Sequence, residues 1–447
     1  MTDRRLPILL SGLTGMRVAA SFVVYIVAAR RFGIGPELDL FFLAVTPLLA
    51  AVNITEAAGV GAAVNFYARL QAVSPEERDR RVAALFVHVG GALVLLGAVF
   101  GLAASPLARV LGSGFPPDLF QRLVGMLRLS AVGMAVAPLG LIAGVGLLRA
   151  KSRFLTAAVF PFIPVAVQVI ALLTVAHTPE RWLTAFVVGH VMAGAVGLFS
   201  SARIVRPAWR YPTRAGSLAF VREALPLAVA ELLLQGLFLR ERQLAAALPP
   251  GSLSALFLGQ RIVGVAGTVA STGIEHTALP AIATAQFGGS STGARRRSRD
   301  ALLFAAVLTL VGGVLLFSWP ELWVTLAFRR GAFDELAVAL TTTAAIAYVG
   351  LYVFNALGRV AIATDFARGL GWRVAAANGV LFSTYMVLSA PLAGRAGYVG
   401  LAIAASVSFA LGTLLALAAG MIPDARSGAR VAHASHPTAD RHEGHRY

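Results

Sequence analysis

Apolar stretches recur along the whole chain, separated by short polar loops rich in arginine, glycine and proline. Most approach the roughly 20 residues that an α-helix needs to cross a bilayer. The pattern predicts about twelve such helices, at 7–32, 38–68, 82–105, 121–149, 153–176, 181–203, 219–247, 252–284, 300–320, 334–363, 373–392 and 397–421. The first is too long for the apolar core of a signal peptide and lacks a clear small-residue cleavage site, so it reads as part of the folded protein. The expected fold is an all-α polytopic membrane protein.

Composition supports this class. Of 447 residues, 57% are apolar and only 13% charged, against about 25% charged in soluble chains. The net charge of +17 suggests nucleic acid at first sight, but the basic residues follow the loops. With the N-terminus inside, the cytoplasmic side takes Arg4 and Arg5, Arg78 to Arg81, Arg149 to Arg153, Arg203 to Arg214, Arg295 to Arg299, and Arg368 with Arg373. The other side keeps a sparser set, namely Arg30, Arg31, Arg109, Arg181, Arg329, Arg330 and Arg395. This is the positive-inside asymmetry of a membrane protein with both termini cytoplasmic, and no nucleic-acid partner is expected. The absence of cysteine excludes disulfides and thiolate metal sites.

The second half echoes the first. Leu38-Asp39-Leu40-Phe41-Phe42-Leu43-Ala44 is answered by Leu253-Ser254-Ala255-Leu256-Phe257-Leu258-Gly259, and Ile54-Thr55-Glu56-Ala57 by Gly273-Ile274-Glu275-His276. The loop at Gly114-Phe115-Pro116 returns as Gly331-Ala332-Phe333. Six helices plus six gives a parallel repeat, with lobes expected at 1–215 and 216–422. Repeat-built transporters put their substrate site between the repeats, near the midplane. After residue 422 the chain is polar. Its histidines His433, His436, His442 and His445 lack accompanying ligands at metal-site spacing, so 423–447 reads as a disordered cytoplasmic tail.

Charges inside the apolar runs carry the functional signal, because each costs at least about 2.5–3.5 kcal/mol near the bilayer centre. They are Arg17, Asp39, Glu56, Glu231, Arg240, Glu241, Arg242, Arg261, Glu275, His276 and Arg359. Asp39 follows a short loop and suits an outer interface, paired with Arg30 or Arg31, as well as a cavity. Arg240, Glu241 and Arg242 are consecutive, so one helix turns them about 100° apart, and some of them suit a local ion pair or the outer surface. Arg17, Glu56 and Arg261 lie deep in their runs. Their structural reading is an Arg–Glu pair locking helices together; their functional reading is a guanidinium clamp for an anionic cargo. No nucleophile elbow, metal cluster or phosphate loop marks an enzyme or an ATP-driven pump. An ion gradient (Na⁺ or H⁺), the membrane potential or the cargo's own gradient is then the expected source of power.

Several segments resemble the MurJ/MviN-type lipid II flippases of the multidrug/oligosaccharidyl-lipid/polysaccharide exporter superfamily. They are Arg31-Phe32-Gly33-Ile34-Gly35 through Asp39 to Phe42 and on to Thr55-Glu56; Gly251 through Leu256 to Gln260-Arg261, with Leu279-Pro280; Phe154 and Pro161 after Leu147-Leu148-Arg149; and Phe328 to Leu336. The resemblance implies two six-helix lobes forming a V around a central cavity in the bacterial cytoplasmic membrane. It implies cavity roles for Asp39, Glu56 and Arg261, with Arg17 near the family's first-helix arginine. The family's further charges fall here on Val24 and Tyr25, on about Ala51 and Val52, and on about Gly264. MurJ-type flippases also carry two helices more than the twelve read here. The expected activity is alternating-access flipping of a polyprenyl-diphosphate-linked glycan by a monomer. Arg17, Arg261, Arg242 and Arg240 would hold the diphosphate, and Asp39, Glu56, Glu241 and Glu275 would line the cavity or take a coupling ion. Membrane lipids and envelope-biosynthesis enzymes are the expected neighbours. Two alternatives stay open, a cation-coupled multidrug exporter and a non-transporting envelope scaffold.

The cysteine-free chain offers a clean test of topology. Arg297→Cys should react with a membrane-impermeant maleimide only from the cytoplasm, and Arg330→Cys only from outside. The reverse pattern would overturn the assignment.

Overall fold

The computed structural model describes residues 5–70, 73–204, 214–268, 291–367 and 370–421. Among them every regular element is helical. In the first lobe, α1 spans Arg5–Phe32, and α2 (Pro36–Ile54) passes through a π turn at Thr55–Gly59 into α3 (Val60–Arg69). A second π turn at Leu85–Val89 joins α4 (Pro75–Ala84) to α5 (Gly90–Leu102), before the short α6 (Ala104–Leu111). A third, Leu141–Gly146, joins α7 (Pro117–Gly140) to α8 (Leu147–Ala150). Then come α9 (Phe154–Val159), α10 (Phe162–Thr174) and α11 (Pro179–Ile204). The second lobe holds α12 (Arg214–Ala246), α13 (252–268), α14 (Ser291–Ser318), α15 (Pro320–Phe328), α16 (Glu335–Ala347), α17 (Val349–Ala367) and α18 (Gly371–Met421). Proline opens α2, α4, α7, α11 and α15, where the missing N–H is one that a first turn leaves unpaired anyway.

Eight of the described helical segments are long and apolar enough to cross a membrane, or nine if α16 and the first part of α17, bent by 48°, count as one. The longest, α18, covers two of the expected spans and turns at Ala396–Gly397, where Gly397 takes φ +58°. The charged α12 carries Glu231, Arg240, Glu241 and Arg242 in its second half. The described part of α13 ends at 268, so Glu275 and His276 lie outside the described residues, as does the tail.

One end of the molecule is closed by contacts between the lobes, and these contacts are paired. The N–H of Ala332 donates to the Arg30 carbonyl at 2.8 Å. The chain fits there only because Gly331, at φ +64°, has no side chain: a Cβ would lie 2.4 Å from that carbonyl oxygen. In the same way, the loop at Gly114 abuts the end of α12, where a Cβ would lie 2.7 Å from the Ala246 oxygen. Each lobe thus sets one loop on the last turn of the other lobe's first helix. Between them Phe42 and Phe257, the matching phenylalanines of the echoed segment, stack at 3.8 Å between centroids. Asp39 and its counterpart Ser254 also meet. The Asp39 carboxylate accepts the N–H groups of Gly251 (2.6 Å) and Ser254 (2.7 Å) and the Ser254 hydroxyl.

Asp39 therefore does not pair with Arg30 or Arg31; Arg31 instead donates to the Leu172 carbonyl. The first lobe's own end is tied by Arg122, which forks onto Glu37 at 2.7 Å twice and reaches Glu180 at 2.5 Å. Beneath these contacts one apolar core runs through both lobes, with Phe41 stacked on Trp182 at 3.5 Å between centroids. Toward the other end, α12 also touches the first lobe. Phe220 packs among Ala63, Phe66, Tyr67 and Leu85, and Glu223 accepts hydrogen bonds from Asn65 (3.3 Å) and Arg69.

Removing the Asp39 carboxylate would strand three buried donors. Asp39→Ala should lower stability against denaturant in detergent by about 3 kcal/mol or more. A change under about 0.5 kcal/mol, the range of ordinary surface substitutions, would sink the clamp.

Candidate functional site

Between the lobes lies a cavity of about 450 Å³. Its walls follow helical stripes. From α1 come Arg17, Ser21, Val24 and Tyr25; from α2 and its π turn, Leu49, Val52, Asn53 and Glu56; from α13, Arg261, Gly264, Val265 and Thr268. Residues three and four apart on a helix share a face, which is how single charges in apolar runs come to face one space. The π turn matters here. It inserts an extra residue into the helix and sets Glu56 toward α1, in keeping with the frequent placement of such turns at functional sites. Glu56 receives the Arg17 guanidinium at 3.0 Å, with the two side chains 32% and 37% exposed.

The other two arginines are held differently. Arg242 is 7% exposed, donates to the Thr46 hydroxyl and lies with its guanidinium carbon 4.9 Å from the centre of the Phe257 ring. Arg261 lies 4.8 Å from that same ring and 4.9 Å from the Tyr25 ring. Its Nε is enclosed and has no hydrogen-bond partner among the described residues. Neither arginine has a carboxylate at ion-pair distance among the described residues. The two cations feel each other's charge. Cation–π contact contributes about 0.5–2 kcal/mol each, which holds the guanidinium groups in place without neutralising them. Neutral donors and acceptors line the rest of the space: Asn53, Gln168, His190, Gln235, Gln260 and Asn355. Such a cavity suits an anion with polar, uncharged substituents.

Of the expected site residues, Arg17, Glu56, Arg242 and Arg261 converge on this cavity, while three others are placed elsewhere. Arg240 turns away and donates to Gln243 at 2.8 Å. Glu241 is buried inside the second lobe beside Tyr348 and Tyr385, with Oε2 lacking a partner. Asp39 belongs to the closed end. The consecutive triplet has split three ways, as 100° per residue requires. Glu231 accepts from Gln235 at 2.7 Å and feels the charge of Arg359. Among the described residues no cluster of histidine and carboxylate could hold a metal ion.

Two features were missed in the sequence. The aromatic bed of Tyr25 and Phe257 was one, although Phe257 and Arg261 at i, i+4 already signalled a ring beneath a guanidinium. Arg149 was the other: counted as a loop charge, it stands within electrostatic reach of Arg17 and Glu56.

The family model described as lipid II flippase MurJ matches residues 28–422. The chain belongs to the MurJ family. Among solved structures, lipid II flippase MurJ in an inward closed conformation superposes with a TM-score of 0.81 at 16% identity, over 95% of this chain and 90% of that one. An inward-facing multidrug resistance MATE transporter gives 0.70 at 14% identity, over 94% and 96%. A MOP superfamily transporter from Pyrococcus furiosus gives 0.65 at 15% identity, over 93% of each chain. These likenesses establish the V-shaped two-lobe fold. No curated protein sequence matches the chain. As a MurJ family member it is a multi-pass membrane protein of a transporter family, with MATE transporters as structural relatives.

Among the described residues the cavity holds one ion pair, Arg17 with Glu56, and both side chains are about one-third exposed. A double-mutant cycle on Arg17→Ala and Glu56→Ala should return a coupling of no more than about 1 kcal/mol, the usual range for part-exposed pairs. A coupling of several kcal/mol would instead make the pair a lock between α1 and α2.

Proposed function

We propose that this MurJ family member flips a polyprenyl-diphosphate-linked glycan across the bacterial cytoplasmic membrane by alternating access. The cargo is lipid II or a related envelope precursor. The observation that carries this reading is the pair Arg242 and Arg261, both set against Phe257 with no carboxylate partner among the described residues. Two fixed cations within electrostatic reach of each other match a diphosphate, whose charge is spread over several oxygens and suits bidentate guanidinium contact. Arg17 is the third arm, free to exchange Glu56 for the cargo. The neutral amide side chains around the cavity suit sugar hydroxyls, and the polyprenyl chain stays in lipid between the lobes.

At about 450 Å³ the cavity has the size of a drug-sized ligand site. A larger headgroup therefore needs the lobes to part. The paired contacts of the closed end, Asp39 with Ser254 and Phe42 with Phe257, are the ones to separate when the cargo leaves by that side. Glu241, whose Oε2 has no hydrogen-bond partner among the described residues, is the carboxylate we assign to a coupling Na⁺ or H⁺. One chain supplies the whole cavity, so the unit of transport is the monomer. Amphipathic cations, the cargo of a multidrug exporter, would be repelled by three guanidinium groups.

In proteoliposomes carrying a fluorescent polyprenyl-diphosphate sugar, Arg242→Ala and Arg261→Ala should each slow flipping roughly 10- to 100-fold, the effect of losing one or two charge-assisted hydrogen bonds. Arg240→Ala, which faces away from the cavity, should stay within about twofold, inside the range of a surface change. Wild-type rates in both cavity variants would remove the diphosphate clamp.

A further inference from the structure

A second cavity, of about 350 Å³, lies at the end of the first lobe where α3 gives way to α4 and α8 to α9. Tyr67, Pro75, Arg78, Leu147 and Lys151 form its walls. The central cavity shares none of them. Tyr67 is 4% exposed, and its enclosed hydroxyl has no partner among the described residues. A buried hydroxyl left unpaired costs about 1–3 kcal/mol, and native structures leave few such groups without a reason.

The charges around this pocket are unevenly matched. The three carboxylates of α4 are taken, Glu76 by Arg80, Glu77 by Arg81 and Asp79 by Nε of Arg78. Arg78 keeps its terminal nitrogens for another acceptor. Lys151, the only lysine in the chain, is exposed and has no ion-pair partner among the described residues. The turn that carries it is held by Ser152 at φ +57°, a conformation that a residue with a side chain adopts at a cost. An ammonium, a guanidinium and a phenol thus border one pocket, and all three are donors. Their combined preference is for an oxyanion with several acceptor oxygens. The cavity is far larger than a bare phosphate needs, and it sits where the chain leaves the apolar layer.

We propose that this pocket binds a phosphate group of net negative charge, which the zwitterionic phosphatidylcholine headgroup does not offer. Lys151 and the Tyr67 hydroxyl donate to its oxygens, and Arg78 supplies further charge. The group belongs to an anionic phospholipid headgroup or to a soluble phosphate, and the site stands independently of the flipping assigned to the central cavity.

Because Lys151 is the only lysine, its acylation by an amine-reactive acetylating reagent reports on this pocket alone, read by peptide mass spectrometry. The full chain is placed in nanodiscs of phosphatidylcholine, in the same discs with inorganic phosphate, and in discs containing phosphatidylglycerol. A ligand that fills the pocket should slow Lys151 acylation roughly threefold or more at high occupancy. Slowing only with phosphatidylglycerol assigns a lipid headgroup; slowing by phosphate in phosphatidylcholine discs assigns a soluble ligand. Tyr67→Phe deletes an unpaired hydroxyl, leaves folding intact, and should return the rate to that of plain phosphatidylcholine discs. Equal rates in all three conditions would overturn the proposal, and so would slowing that Tyr67→Phe leaves unchanged, since that is surface charge alone.

Discussion

Arg261 lies against the rings of Tyr25 and Phe257 with no carboxylate at ion-pair distance among the described residues, and the centre of the molecule is arranged around that fact. A cation at membrane depth needs water, an opposite charge or a polarisable surface. Here the surface is aromatic and comes from both lobes, Tyr25 from α1 and Phe257 from α13. Phe257 in turn rests on Phe42 of α2. The ring that supports the two arginines is therefore the same ring that joins the lobes. Closing the molecule and holding the cations are one packing problem, and a shift of the lobes must change both together.

The contacts at the closed end follow from the repeat. When two similar lobes are related by a twofold-like axis, residues near that axis meet their own counterparts, as in an isologous interface. Phe42 meets Phe257, Asp39 meets Ser254, and the Gly114 and Gly331 loops dock on matching helix ends. The symmetry is broken where it serves polarity. A second aspartate opposite Asp39 would bring two buried carboxylates together; serine supplies a hydroxyl and an amide donor instead. Aromatic stacking tolerates self-pairing and charge does not, so the echo is kept in the phenylalanine and lost one turn earlier.

Much of this was legible in the chain. Apolar run lengths gave the helices, and the echoes marked Phe42 and Phe257 as equivalent. The cost of buried charge marked eleven residues, of which Arg17, Glu56, Arg242 and Arg261 border the cavity, and the helical repeat required Arg240, Glu241 and Arg242 to diverge. What was hidden depends on contacts between distant segments. Asp39 finds its partners 212 and 215 residues away, and nothing local to Asp39 distinguishes an amide partner from Arg30. Tyr25 read as a lost charge because a ring is neutral. Only the fold shows that it lies under a guanidinium. The π turn at Thr55–Gly59 that carries Glu56 is an interruption of the helical ladder that periodicity alone does not register.

The unequal treatment of the three cavity arginines gives the proposed flippase its working logic. A carrier must hold its cargo firmly enough to load and loosely enough to release, so fully satisfied charges and fully bare ones are both poor choices. Arg17 has a carboxylate in a part-exposed pair, weak enough to exchange. Arg242 and Arg261 are fixed in direction by rings and a hydroxyl but keep their full charge. In the proposed cycle an entering diphosphate would meet two preoriented cations and displace one modest ion pair. Glu56, released from Arg17, then stands as a negative charge beside the bound anion and opposes it. A like charge created by loading limits the affinity that the guanidinium groups would otherwise reach. On this proposal release would be built into the same Arg17–Glu56 pair that orders the cavity.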